Sequence, residues 1–215
     1  VKTTRGSPDG TRGKASPQWT APPPGPPCAV SRSSDAVLPE ATAVALQAAS
    51  FLLDYPADSE TDLALIAEAL DELPKGEVGD RLGRFVAWWG GLTPRDREVA
   101  YVNTFELGAG ACLHLTSKRS RDKHHRGQEL IRLRDIYREH GWEPCSSELP
   151  DYLPMVLEFA AAAPGGMDVL AGEREALLEL RDSLEASASP FADVLAAILA
   201  AMRDRDHTPE RGGPR

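Results

Sequence analysis

At 215 residues the chain is long enough for one compact domain with a sizeable core and short for two. Its net charge of −9 is uneven: residues 1–36 carry five basic and two acidic side chains (+3), the remainder 19 basic and 31 acidic (−12), so the body repels a phosphate backbone and nucleic acid is excluded as a default partner. Three cysteines without a close pair, Cys28, Cys112 and Cys145, exclude a disulfide framework and suit a reducing compartment. There is neither an apolar run near the roughly 18 residues of a membrane span nor a secretory-type leader pattern, so the expectation is a cytoplasmic protein with no direct membrane insertion.

Residues 1–36 contain PQWTAPPPGPP among Ser, Gly and Thr. With so few aliphatic side chains they cannot offset their ordering entropy, which predicts disorder. Because the chain begins with Val1, a start placed too far upstream is one reading of this tail. A folded domain is expected over 37–205 and a flexible end over 206–215.

Within the domain the pattern is helical nearly throughout, and Ala and Leu, which lose little rotamer freedom in a helix, are abundant. Residues 39–54 open on a tolerated proline and stop at Tyr55-Pro56. A second helix spans 60–73. The third shows Leu82, Phe85, Val86 and Trp89 at helical spacing and ends at Gly90-Gly91. Trp88 and Trp89 point about 100° apart, so only one can face the core. Thr93-Pro94 caps a fourth helix to about Leu107, with Tyr101 and Phe105 on one face. A helix over about 124–140 buries Leu130, Leu133 and Tyr137, and two more span about 168–186 and 190–204. No sustained alternation of period two appears between 94 and 163. The expected fold is all-α, a single-domain bundle of about 8–9 helices.

Chemistry is scarce. Cys112, His114, His124 and His125 lack the spacing of a metal site, and no phosphate loop, GxSxG or defensible carboxylate pair is present. No metal, no stably bound cofactor and no catalytic residue is therefore expected. The basic run containing Lys118, Arg119, Arg121 and Arg126 is a candidate charged contact loop, or simply a solvated connection. SELPDYLP at 147–154 places Pro154 inside an expected helix, depriving the Pro150 carbonyl of its usual partner. One reading is a broken helix that exposes a carbonyl, the Asp151 carboxylate and the Tyr152 phenol. A well-capped loop-to-helix junction is the alternative.

The stretches AASFLLDYP, YVNTFELGAGACLHLTSK, RGQELIRLRDIYREHGWEP and SSELPDYLPMVLEFAA resemble nitrate reductase molybdenum cofactor assembly chaperones of the NarJ type, within the wider TorD-like group. The resemblance covers residues 37–205. It implies an all-helical, non-catalytic cytoplasmic chaperone that binds the N-terminal segment of the apo nitrate reductase alpha subunit. It would hold that client until molybdopterin guanine dinucleotide is inserted, before membrane docking, with cofactor-biosynthesis proteins as further expected partners. The wider group often carries Glu-Pro-x-Asp-His here. Asp151 matches its Asp, but Tyr152 replaces its His, so a role of that His does not transfer. The loop 117–126 departs from the branch's Tyr-Gly-Asp-Thr-like turn and keeps only Asp122.

The proline spacing and the resemblance together make Glu148, Asp151 and Tyr152 the expected rim of a peptide-docking groove, with Tyr101, Phe105 and Leu153 inside it. An acidic body favours a basic segment. The alternatives are a chaperone for an S- or N-oxide reductase, a nucleotide-dependent enzyme on a helical scaffold, and a nucleic-acid regulator using the basic loop.

Overall fold

The computed structural model describes residues 38–56, 60–108, 110–119, 123–144 and 147–206. The expectations for residues 1–36, for Arg121 and Asp122, and for the end of the chain beyond 206 lie outside these. The described residues form α1 (Glu40–Leu53), α2 (Glu60–Asp71), α3 (Glu77–Gly90), α4 (Pro94–Tyr101), a π turn (Val102–Glu106), α5 (Thr116–Arg119), α6 (Lys123–Glu139), α7 (Leu153–Ala162), α8 (Gly166–Gly172), α9 (Arg174–Ala186) and α10 (Phe191–Asp206). The all-α bundle is as expected: nine helices among the described residues exceed the single turn of α5.

α10 is the axis of the bundle. Phe191, Val194, Leu195, Ala197, Ile198, Leu199, Ala201 and Met202 are all buried, a pattern apolar on nearly every side, as a central helix requires. It packs against α1, α3 and α9. Each fully buried Leu or Phe contributes about 1.5–3 kcal/mol. α1 also lies along α7, where Ala45, Ala48 and Ala49 keep the helices close and Ser50 donates to the Pro154 carbonyl at 2.8 Å. Trp89 is buried and Trp88 half-buried, the division that their 100° offset demands.

α6 is polar and attaches by few side chains. Leu133 and Tyr137 are its buried residues, and Tyr137 joins a second small core with Trp142, Met155 and Phe159. Its ring meets Phe159 edge-on at 4.7 Å.

Three boundaries differ from the sequence reading. The fourth helix does not run regularly to 107: Thr93 caps it and Pro94 opens it as expected, but after Tyr101 it widens into the π turn, where Leu107 N–H reaches back to the Val102 carbonyl at 2.9 Å. The helix expected over 168–186 breaks at Glu173, because α8 packs on α7 whereas α9 packs on α10. The third difference concerns α7. It starts at Leu153, with Tyr152 at its cap and Pro154 in the first turn, where a missing N–H costs nothing. There is no kink. The orphaned carbonyl of Pro150 is not exposed either: the buried Tyr137 hydroxyl donates to it at 2.7 Å.

Candidate functional site

Three segments meet beside the start of α7. The first is the end of α1, carrying Phe51, Asp54 and Tyr55. The second is α4 with the π turn, carrying Tyr101, Phe105, Glu106 and Leu107. The third is residues 148–152. The third segment is held by strand-like pairing with the loop before α5: His114 and Tyr152 form an isolated antiparallel bridge. Leu115 N–H donates to the Asp151 carbonyl at 3.0 Å, and Leu153 N–H to the Leu113 carbonyl at 2.8 Å.

Asp151 locks this pairing from beneath. Its side chain is 0% exposed. Thr116 donates to Oδ2 through its hydroxyl at 2.6 Å and its N–H at 3.2 Å. His114 Nδ1 lies 3.2 Å from Oδ1, and Arg126 Nη2 lies 3.6 Å from Oδ2. Burial pushes the carboxyl's pKa up, but the hydrogen bonds from His114 and Thr116 and the attraction to His114 outweigh it and hold the group below its ordinary value. The carboxylate is therefore ionised, paired and internal.

This corrects the expected rim. Asp151 has no face toward solvent, and Leu153, expected in the groove, is also 0% exposed and belongs to the main core. The reason is the loop 111–116, which covers both by bridging across residues 151–153. Arg126 turns inward to Asp151 and to the Thr116 hydroxyl at 3.3 Å. The basic run is thus not uniformly a contact loop. Lys118 and Arg119 fall in α5, and Arg121 lies outside the described residues.

Tyr152, next in sequence to Asp151, points the other way. Its hydroxyl donates to Asp54 Oδ1 at 3.0 Å, so that it accepts from the Tyr101 hydroxyl 3.1 Å away. Tyr101 also reaches the Leu53 carbonyl at 3.3 Å. The Tyr55 ring stands edge-on to Tyr101 at 5.4 Å, and Phe105 lies 5.0 Å from Tyr101 and 4.8 Å from Phe191. The π turn is what brings Phe105 over Phe191 while Tyr101 keeps its contacts with α1.

Burial pushes the Tyr101 phenol up to about 12, and the charges of Asp54, Glu106 and Glu148 add to it. Tyr152 is raised by burial, by Tyr101 and by Asp54. Glu158 of α7 is raised by burial and by Asp54. Both phenols stay protonated, and three carboxylates, Asp54, Glu106 and Glu148, lie within electrostatic reach of them. Around this network large apolar side chains face solvent: Phe51, Tyr55 at 45%, Leu149, and Leu107 at 75%. An aromatic and aliphatic surface ringed by acids suits an apolar segment with basic side chains. Among the described residues no group of three or more His, Cys, Asp or Glu side chains is placed to hold a metal.

The structure thus brings together Tyr101, Phe105 and Tyr152 and places Glu148 near Tyr101, but it removes Asp151 and Leu153 to the interior and also buries Tyr101, expected inside the groove, at 5% exposure beneath Tyr55 and Phe105. Sequence reasoning missed Asp54, Tyr55, Glu106 and Leu107. The signal was present in the chain-stopping Asp54-Tyr55-Pro56, read only as a helix end.

Residues 55–197 match the family described as nitrate reductase delta subunit. The nitrate reductase-like protein NarX of Mycobacterium tuberculosis is 36% identical over 157 residues, covering 72% of this chain and 24% of that protein, so the chain spans about a quarter of that relative. The probable nitrate reductase molybdenum cofactor assembly chaperone NarJ of Bacillus subtilis is 31% identical over 75% of this chain and 89% of its own length. NarJ of Escherichia coli K12 is 29% identical over 73% of this chain and 61% of its own. The match runs from Tyr55, just after α1, into α10, and takes in Tyr55, Tyr101, Phe105 and Tyr152 of the tyrosine site but not Asp54. The chain belongs to the nitrate reductase delta subunit family.

Proposed function

We propose that this chain is a cytoplasmic assembly chaperone that binds the apo catalytic (alpha) subunit of a respiratory nitrate reductase at its N-terminal segment. It holds that client for insertion of molybdopterin guanine dinucleotide before membrane docking, and it acts by binding rather than by catalysis. The names of the Bacillus and Escherichia relatives support this reading. The observation that carries it is the acid-ringed apolar surface of Tyr55, Leu107 and Leu149 with the half-buried Phe105 and Tyr152, backed from beneath by the buried Tyr101. It offers apolar contact and negative charge together, the complement of an amphipathic basic helix.

The test is titration calorimetry against a peptide spanning roughly the first 20 residues of the cognate alpha subunit, presented as a helix-in-groove ligand. Binding at micromolar Kd or tighter is expected, about −8 kcal/mol. The double variant Tyr55→Ala/Leu107→Ala removes exposed contacts and is expected to weaken binding by tenfold or more, about 1.4 kcal/mol. An absence of binding to folded wild-type protein would refute the reading, as would unchanged affinity in that variant.

A further inference from the structure

The surface at the end of α1 is matched in chemistry by a stretch of this same chain. Phe51, Tyr55, Leu107 and Leu149 face solvent there, beside the half-buried rings of Phe105 and Tyr152. Large exposed apolar side chains gathered at one place mark an interaction site. Asp54, Glu106 and Glu148 give that place its negative charge. Residues 1–37 lie outside the described structure. Within them, residues 10–34 carry Arg12, Lys14 and Arg32 and no acid. Five of the six residues at 22–27 are proline, which sets Pro23-x-x-Pro26 and Pro24-x-x-Pro27 side by side.

Proline fixes φ at about −65°, close to the polyproline II value, so such a segment loses little conformational entropy when it docks. Polyproline II makes no internal hydrogen bonds, which leaves its carbonyls to accept from a partner. Segments of this kind seat on aromatic-lined grooves. The Tyr55 phenol is a donor for such a carbonyl, and the three acids favour the basic flanks.

We propose that residues 22–27 dock intramolecularly on the surface of Tyr55, Phe105, Leu107 and Tyr152 and cover it until a client segment displaces them. The tether is long enough. The described chain starts at Leu38, which packs against the core just before α1. The 14 residues of α1 carry the surface at their far end, about 21 Å away. The stretch from Pro27 to Leu38 extends to about 36 Å. A flexible tether of this kind gives an effective concentration on the order of 1 mM. A docking Kd of about 0.1–0.3 mM then keeps the surface covered most of the time, and weakens a competing client about four- to tenfold. The docking needs no client, and only the displacement rests on the reading of this surface as the client site.

The first experiment uses no client. A nitroxide is attached to Cys28, next to Pro27, in the full chain with Cys112→Ser and Cys145→Ser. The amide resonances of Tyr55, Phe105, Leu107 and Leu149 are expected to broaden. In the same chain with Pro23→Ser, Pro24→Ser, Pro26→Ser and Pro27→Ser, which keeps length and charge, the broadening is expected to disappear. Circular dichroism checks that each chain is folded. No broadening in the first chain, or equal broadening in the second, would overturn the proposal. So would broadening in a mixture of isotope-labelled chains without nitroxide and unlabelled chains carrying it, which would seat the segment on a neighbouring molecule. The second experiment titrates the alpha-subunit peptide into the full chain with and without the four proline substitutions. The substituted chain is expected to bind about four- to tenfold more tightly, and equal affinity would overturn the cover. Failure of the peptide to bind either chain would refute the client reading, while the broadening still decides the docking.

Discussion

Replacing Asp151 by alanine tests whether this acid is an internal lock or a contact residue. The substitution removes the acceptor of two donors on Thr116, itself 0% exposed, takes away the hydrogen-bond partner of His114 Nδ1 and strips the opposite charge from Arg126. Removing one partner of a fully buried ion pair costs about 3–5 kcal/mol, an upper bound here because only Asp151 and Thr116 are fully buried. His114 and Arg126, at 29% and 32% side-chain exposure, can rehydrate, which leaves the Thr116 N–H and hydroxyl as the main unsatisfied groups. At about 1–3 kcal/mol for each orphaned donor, an overall loss of about 3 kcal/mol is expected. A domain with about 5–15 kcal/mol of stability survives this. Urea unfolding at pH 7 measures it as a lower midpoint at unchanged slope. The pH dependence carries the same signature. Because the folded-state pKa of Asp151 lies below its ordinary value of 3.8, its contribution is present above that value. It is lost as pH falls through the lower folded value, so wild type and variant converge in acid. A cost below about 1 kcal/mol at pH 7, typical of a surface acid, would refute the internal lock and restore an exposed rim.

Two further outcomes follow from the same geometry. Tyr137→Phe leaves the Pro150 carbonyl without its 2.7 Å donor while keeping the ring contact with Phe159. A loss of about 1–2 kcal/mol in urea unfolding is expected, and no loss would mean that water replaces the hydroxyl. The Tyr101 phenol, raised to about 12 from an ordinary 10.0, makes stability fall with alkali: the unfolded chain releases this proton first, so the folded state loses ground between pH 10 and 12. Midpoints in urea at pH 9 and 11 test this against Tyr101→Phe, in which the alkaline decline should shrink.

The helices were legible because their evidence is local. Apolar spacing marked α1, α3, α6 and α10, and Thr93-Pro94 marked the start of α4 within one residue. Spacing also allowed only one of Trp88 and Trp89 into the core. The NarJ-type resemblance rested on short stretches that the structure gathers at the tyrosine site and the start of α7.

What local pattern could not supply was the direction of side chains outside regular helices. Asp151 and Tyr152 are adjacent in a non-helical stretch, and nothing in SELPDYLP says which is buried. That was decided by the loop 111–116, some 35 residues earlier, whose Thr116 and His114 supply the donors that make a buried carboxylate affordable. Likewise the break between α8 and α9 reflects two different packing partners, and the π turn reflects the pull of Phe191 on Phe105 against Tyr101's hold on α1. Sequence by itself determined the all-α class, most helix starts and the acidic balance, because helical propensity and periodicity act over a few residues. Tertiary structure alone decided which acid is a lock and which tyrosine is a surface. Burial and hydrogen-bond satisfaction depend on partners that the chain brings in from elsewhere.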